Sequence, residues 1–208
     1  MPPTDGAENV DRTLATYERA AARYAELWRP APAVDELIGD LRRRLSAGAR
    51  VLEIGSGPGF DARAMEALGL RVQRTDGARA FVDLMRAQGA DARVVDVTRD
   101  ELGTGFAAVF ANAVLLHLTH AQAAAVLARL TRCVDLHGLL AITVKEGRGE
   151  RWTSERLGLP RFFAYWTEAQ LRDALESAGW RQLRFARNAS ANTGETWLQF
   201  TCELADGL

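Results

Sequence analysis

Between the apolar segment Val51–Ile54 and the helical pattern Phe60–Leu68 runs Glu53-Ile54-Gly55-Ser56-Gly57-Pro58-Gly59, an acid followed by three alternating glycines. Glycines at such a strand-to-helix turn let the backbone pass close to a ligand and expose amides at a helix N-terminus. A dinucleotide fingerprint needs a glycine at the sixth position, which here is Phe60. Glu53 would repel a pyrophosphate but suits a ligand carrying an ammonium, which points to a nucleotide bearing an amino acid. Asp76 ends the next strand at about the 20-residue spacing where an acid grips ribose hydroxyls, and a carboxylate can accept from two of them at once. Asp96 ends the third strand, where turn chemistry is the competing reading. Asp61 reads mainly as an acid complementing the dipole of the helix it opens.

This segment resembles motif I of class I S-adenosylmethionine-dependent methyltransferases, (D/E)-x-G-x-G-x-G, with Glu53, Gly55, Gly57 and Gly59 in the four defining positions. The resemblance implies S-adenosyl-L-methionine as cofactor and S-adenosyl-L-homocysteine as product. It places cofactor contacts at Glu53, Gly55, Ser56, Gly57, Gly59, Asp76, Gly77, Asp96, Val97 and Asn112, with Asp96 accepting from the adenine amino group. Gly77 departs from the usual pattern after the ribose acid. Phe110–Leu118 is similar to the fourth-strand segment of small-molecule methyltransferases, and Val144–Gly147 followed by Arg161–Thr167 resembles a bacterial subgroup.

The expected reaction is methyl transfer to oxygen or nitrogen of a small molecule. A sulfonium is already an activated leaving group, so alignment and desolvation supply much of the catalysis. His117 is the candidate base, with Tyr24 as a second catalytic candidate, although a histidine in an apolar run is often a packing residue. Tyr17, Trp152, Phe162 and Tyr165 are candidate acceptor contacts, and Lys145 and Arg161 could meet an anionic one. The fourth strand ends Ala111-Asn112-Ala113-Val114 and lacks the Asn/Asp-Pro-Pro-aromatic motif of base methylation, so nucleic acid is not expected as substrate. Rival readings are an NAD-dependent oxidoreductase, another transfer with the same cofactor, and a non-catalytic ligand-binding domain.

The elements that must position these residues follow from periodicity. Residues 1–10 read as a disordered lead. Leu14, Tyr17, Ala21, Tyr24, Leu27 and Trp28 then recur at helical spacing, Pro30 and Pro32 break that helix, and Val34–Leu45 forms a second one. Strands at 70–75, 92–95, 106–111 and 139–144 alternate with helices at 78–88 and 121–136, with a short segment around Glu101 and Gly138 expected as a helix cap. Helix 167–178 and strands 180–186 and 196–203, joined through Asn188, Asn192 and Gly194, close the chain as an antiparallel hairpin. With the resemblance, the expected fold is α/β, a Rossmann-like, doubly wound, mostly parallel seven-stranded sheet with an antiparallel C-terminal hairpin strand and an N-terminal helical cover. One domain spans 1–208: helices of the cover in 1–46, a cofactor core in 47–144, an acceptor-side segment in 145–166, and the last helix and hairpin in 167–208.

Composition agrees with one such domain, at 208 residues, 48% hydrophobic and 25% charged. A net charge of −1 creates no field to steer the chain onto nucleic acid or an anionic membrane. Lys145 is the only lysine, and the arginines are scattered among acids. No apolar run approaches the roughly 20 residues of a membrane span, and the start resembles no signal peptide, so a cytoplasmic location is expected. Cys133 and Cys202 lack metal-ligand spacing, so no metal is expected and both read as buried thiols.

Overall fold

The structure is a computed structural model describing residues 6–27, 32–190 and 194–205. Six helices and nine strands follow in order: α1 (Gly6–Leu27), α2 (Pro32–Arg44), β1 (Arg50–Ile54), α3 (Phe60–Ala67), β2 (Arg71–Asp76), α4 (Arg79–Ala87), β3 (Ala92–Val94), β4 (Phe106–Asn112), a 3-10 turn (Leu115–His117), α5 (His120–Leu130), β5 (Val134–Lys145), β6 (Glu150–Thr153), β7 (Arg161–Ala164), α6 (Glu168–Ser177), β8 (Trp180–Ala189) and β9 (Thr196–Leu204). Seven strands form one sheet in the order β3-β2-β1-β4-β5-β9-β8, while β6 and β7 pair separately. The first five of that order run parallel and β9 is inserted antiparallel between β5 and β8. This is the expected doubly wound architecture.

Strand alternation sends β1 and β4 side chains to two covered faces. Leu52, Ile54, Val109 and Ala111 pack with Val126, Leu127 and Leu130 of α5 and Leu171 and Leu175 of α6. Val51, Ala108 and Phe110 meet Leu37, Ile38 and Leu41 of α2 and Met65 of α3. Because β1 and β4 are central, their carboxyl ends and the loops after them meet where the strand order reverses, the place such sheets offer a ligand.

Several boundaries differ from the sequence expectation. Helix α1 already includes Gly6–Val10, which the sequence assigns to a disordered lead. The expected helix through Leu136 stops at Leu130, and β5 begins at Val134. Thr131 and Val134 are β-branched and fit a strand entrance better than a helix end. Gly138 therefore lies inside β5, where an added Cβ would come within 2.4 Å of Val134 Cβ. The pairing with β4 slips between Phe106 and Ala108, leaving Leu136 exposed. The segment around Glu101 forms no helix, and the β6–β7 hairpin was not expected. Trp28, Pro30 and Asn192 lie outside the described residues.

Helix α1 crosses the carboxyl edge and is fastened at both rims. The Glu18 carboxylate accepts from the Arg79 and Ala80 amides at 2.5 and 3.0 Å, capping α4 from another element. On the opposite side the Thr16 hydroxyl donates to the Pro160 carbonyl at 2.6 Å and the Phe162 amide donates to Thr13 Oγ1 at 3.1 Å. Glu18→Ala should therefore raise the S-adenosylhomocysteine dissociation rate about tenfold, the equivalent of one charge-assisted cap of about 1–2 kcal/mol. Stopped-flow displacement reads that rate; an unchanged rate would mean that α1 does not gate the cavity.

Candidate active site

Beneath α1 lies a cavity of about 1010 Å³ including its open mouth. One half is walled by Gly55–Pro58, Asp76, Gly77 and Val95–Thr98; the other by Tyr17, Tyr24, Phe81 and His117, with Asp61 and Asn112 also on the wall.

The glycine loop has the backbone its sequence demands. Gly55, Gly57 and Gly59 have φ of 65°, 52° and 76°, a region that costs other residues about 1–2 kcal/mol. At Gly55 an added Cβ would strike Val114 Cγ2 at 2.4 Å, whereas at Gly57 it would meet nothing within 4 Å. The first glycine thus serves packing and the second leaves open space on the cavity side. Gly77, the departure from the family pattern, lets α1 approach: a Cβ there would come within 2.8 Å of Leu14 Cδ2.

Asp76 joins the two walls of the first half. Its Oδ2 accepts from the Gly57 amide and its Oδ1 from the Ala78 amide, both at 2.8 Å. Each oxygen keeps a further acceptor direction for a ribose hydroxyl. Burial raises its pKa to about 6, against the pull of those two amides. Asp96 also lines the cavity, but Thr98 donates to its Oδ1 through amide and hydroxyl, and Arg99 Nε pairs with Oδ2 at 2.9 Å. Turn chemistry occupies that carboxylate, with its remaining lone pairs left for a ligand.

Glu53 sits behind the cavity wall, on the strand face of Val51. It is 2% exposed, and its Oε2 has no hydrogen-bond partner among the described residues. Burial, with Asp61 nearby, pushes its pKa up to about 8. Asp61, expected to serve its helix, instead stands on the wall and accepts from Asn112 Nδ2 at 2.8 Å. Asn112 Oδ1 in turn accepts from Thr143 Oγ1 at 2.6 Å. Sequence could not reveal this pairing, because Asp61 and Asn112 belong to different β-α units. A buried acid with one oxygen unpartnered, a second acid on the wall and an open glycine cradle fit the ammonium and nucleoside of S-adenosylmethionine.

Glu53 yields a pH test. A carboxyl raised from 4.5 to about 8 keeps in the fold a proton that the unfolded chain has lost, so its stabilisation fades as pH rises through that window. An ammonium brought to it should expel the proton. Calorimetry of S-adenosylhomocysteine binding at pH 7 in two buffers of different ionisation heat should therefore show proton release that Glu53→Gln abolishes. Equal heats in both buffers would exclude it.

In the second half, His117 Nδ1 lies 2.8 Å from the Phe162 carbonyl, which can only accept, so that nitrogen carries the proton. Nε2 is then bare and accepts from the Tyr17 hydroxyl at 2.8 Å. Arg161 Nη1 donates to the same hydroxyl oxygen at 3.3 Å. Burial drives the His117 pKa down to about 3, with Arg161 and Lys145 adding to the effect, and burial raises that of Tyr17. Tyr24 packs edge-on against Tyr17 and Phe81, with ring centroids 5.7 and 5.5 Å away.

Three expected acceptor contacts stand elsewhere. Trp152 lies on β6 against Phe162 and under Arg12, outside the cavity. Phe162 serves the site through its carbonyl and amide, while its ring packs away from it. Tyr165 is buried beneath Arg151 and beside Phe163. On a short strand pair neighbouring side chains point to opposite sides, so a cluster of aromatics in sequence cannot all face one ligand. Lys145 is likewise off the wall, with Nζ 2.6 Å from Glu195 Oε1.

The fold is that of solved S-adenosylmethionine-dependent methyltransferases. Residues 52–142 match the protein-family model described as a methyltransferase domain. Among solved structures, the chain is similar to 1,6-didemethyltoxoflavin-N1-methyltransferase of Burkholderia thailandensis, crystallised with 1,6-didemethyltoxoflavin and S-adenosylhomocysteine: 21% identity, 99% of this chain, 93% of that one, TM-score 0.83. It is similar also to the [4+2]-cyclase SpnF, at 18% identity over 99% and 97% of the two chains, TM-score 0.71. The N-methyltransferase NodS of Bradyrhizobium japonicum, with S-adenosylhomocysteine, shares 16% identity over 93% and 99%, TM-score 0.70. A search of curated proteins gave no match. Among the described residues no helix is long and apolar enough to cross a membrane, and no cluster could hold a metal.

Proposed function

We propose that this chain moves the methyl group of S-adenosylmethionine onto a nitrogen or oxygen of a small molecule, with nitrogen favoured by the names of the Burkholderia and Bradyrhizobium neighbours. The observation that carries this reading is a single cavity whose one half is the glycine loop with Asp76 and whose other half is the Tyr17–His117 pair. In the first half Asp76 takes the ribose hydroxyls, Asp96 and Val97 meet the adenine, and Glu53, Asp61 and Asn112 hold the amino-acid end. The bound cofactor supplies a methyl group on a sulfonium, activated for displacement.

The chain's own residues bind, orient and dry the site. Tyr17 fixes the acceptor atom with a hydroxyl oriented by Arg161 and His117, and Tyr24 and Phe81 flank it with apolar surface. His117, whose ring nitrogens are both engaged, positions Tyr17 and does not act as the base. Helix α1 excludes water from the reacting centre. An acceptor as large as nucleic acid is disfavoured by a wall that carries Asp61, Asp76 and Asp96 and no Lys or Arg among the described residues. We place the protein in the cytoplasm of a bacterial-type cell, working as one domain over residues 1–208.

Incubation with methyl-labelled S-adenosylmethionine and small-molecule extracts, followed by mass spectrometry, tests the proposal. A labelled small product with equimolar S-adenosylhomocysteine is expected. Tight S-adenosylhomocysteine binding with no labelled product from any extract would favour a non-catalytic binding domain.

A further inference from the structure

Arg161, the first residue of β7, is 6% exposed, yet no carboxylate among the described residues pairs with it. Its Nη1 donates to Tyr17 Oη and its Nη2 to the Glu155 carbonyl at 2.8 Å, while Nε is buried without a partner. Its guanidinium lies 5.1 Å from the Phe163 ring centre and 5.8 Å from that of Tyr17. The charged and titratable groups that interact with it are Tyr17 and Tyr24 on α1, His117 after β4 and Lys145 at the end of β5. Glu195, before β9, pairs with Lys145 at 2.6 Å and with Arg156 at 3.0 Å. Two buried cations thus stand behind the acceptor half, and across the cavity Asp76 faces Tyr17, and Asp61 and Asp76 face Tyr24. A buried charge without a counter-ion is costly and calls for compensation from elsewhere.

We infer that the acceptor enters as an anion, a phenolate-like oxygen or a deprotonated ring nitrogen, held through the Tyr17 hydroxyl by the unpaired guanidinium of Arg161. The inference rests on the methyl-transfer reading above. His117 Nδ1–H is committed to the Phe162 carbonyl and its Nε2 to the Tyr17 hydroxyl, so His117 offers the acceptor no open lone pair. On this inference the acceptor loses its proton to solvent before enclosure. The acceptor's lone pair then forms the bond to the methyl carbon as the carbon–sulfur bond breaks, its electron pair remaining on sulfur. An anion and a sulfonium leave two neutral products. A neutral amine would instead become a cation beside Arg161. A hydroxyl proton turns about its C–O bond, so Tyr17 can give it to the anion while Arg161 holds the phenol oxygen.

The probes are 4-nitrophenol, coloured when ionised, and 4-nitroaniline, of the same size and uncharged near neutral pH. On protein loaded with S-adenosylhomocysteine, 4-nitrophenol should bind about tenfold more tightly than 4-nitroaniline, with its ionisation moved about one pH unit toward acid. Arg161→Gln should abolish both effects, and Arg161→Lys should keep part of them. Tyr17→Phe, which leaves Arg161 in place, should lose part of the ionisation shift and covers the case in which Arg161→Gln does not fold. Arg161→Met should melt no lower than the parent, because the charge serves the ligand and not the fold. Equal or reversed affinities, an unmoved ionisation, or no binding of 4-nitrophenol to the loaded protein would each overturn the inference. Absence of S-adenosylhomocysteine binding is read separately and would instead sink the methyl-transfer reading.

Discussion

Replacing Asp76 by Ala is expected to lower S-adenosylhomocysteine affinity about a hundredfold, or about 2.8 kcal/mol. Part of that loss is the acceptor for the ribose hydroxyls, worth about 1.5–3 kcal/mol where a charged group is involved. The rest comes from the loop: without Oδ2 the Gly57 amide loses its partner, and without Oδ1 the Ala78 amide loses its own. Asp76→Asn retains one carbonyl oxygen but must turn its amide group toward one of the two amides, so its affinity should fall between the two proteins. Calorimetry decides the order. Binding by the Ala variant equal to that of the parent would remove Asp76 from the cofactor site, and a loss in melting temperature without a loss in affinity would leave it a loop fastener.

The second large effect is expected at Tyr17. Tyr17→Phe keeps the ring against Tyr24, Phe81 and His117 and removes the hydroxyl shared by Arg161 and His117. Turnover on the identified acceptor should fall about a hundredfold, the lower range for a positioned polar group in the transition state, with S-adenosylhomocysteine affinity held within about threefold. Loss of both in parallel would place Tyr17 in the packing of α1. The neighbouring His117 adds a stability signature. Its pKa is depressed from 6.5 to about 3, so its contribution is present above 6.5 and fades as the pH falls toward 3.

The cofactor half was legible because its chemistry is local. Three glycines at alternate positions and an acid behind them occupy one β-α turn, and Asp76 lies one unit further on. Gly77 could be seen as a departure, but its reason, the approach of Leu14, comes from a helix far away in sequence. Asp61 illustrates the same limit: an acid in a first helical turn has a sufficient local explanation, and its bond to Asn112 exists only after β1 and β4 pair. The acceptor half was half legible. Tyr17 and His117 were singled out, and the fold joins them, but Trp152 and Tyr165 were expected to share their cavity. Within β6 and β7 the strand pleat divides the aromatics between the hairpin's own packing and the core. The end of α5 was misjudged because an apolar run of this kind suits a buried helix and a buried strand equally.

The double fastening of α1 bears on timing. A helix held by Glu18 at one rim and by Thr13 and Thr16 at the other roofs the whole cavity, so on the proposed reaction neither product would leave while both rims are closed. Chemistry on an aligned, activated methyl group is then followed by an opening step that must break several hydrogen bonds together. The first turnover should outrun those that follow, with a burst of product equal to the enzyme present.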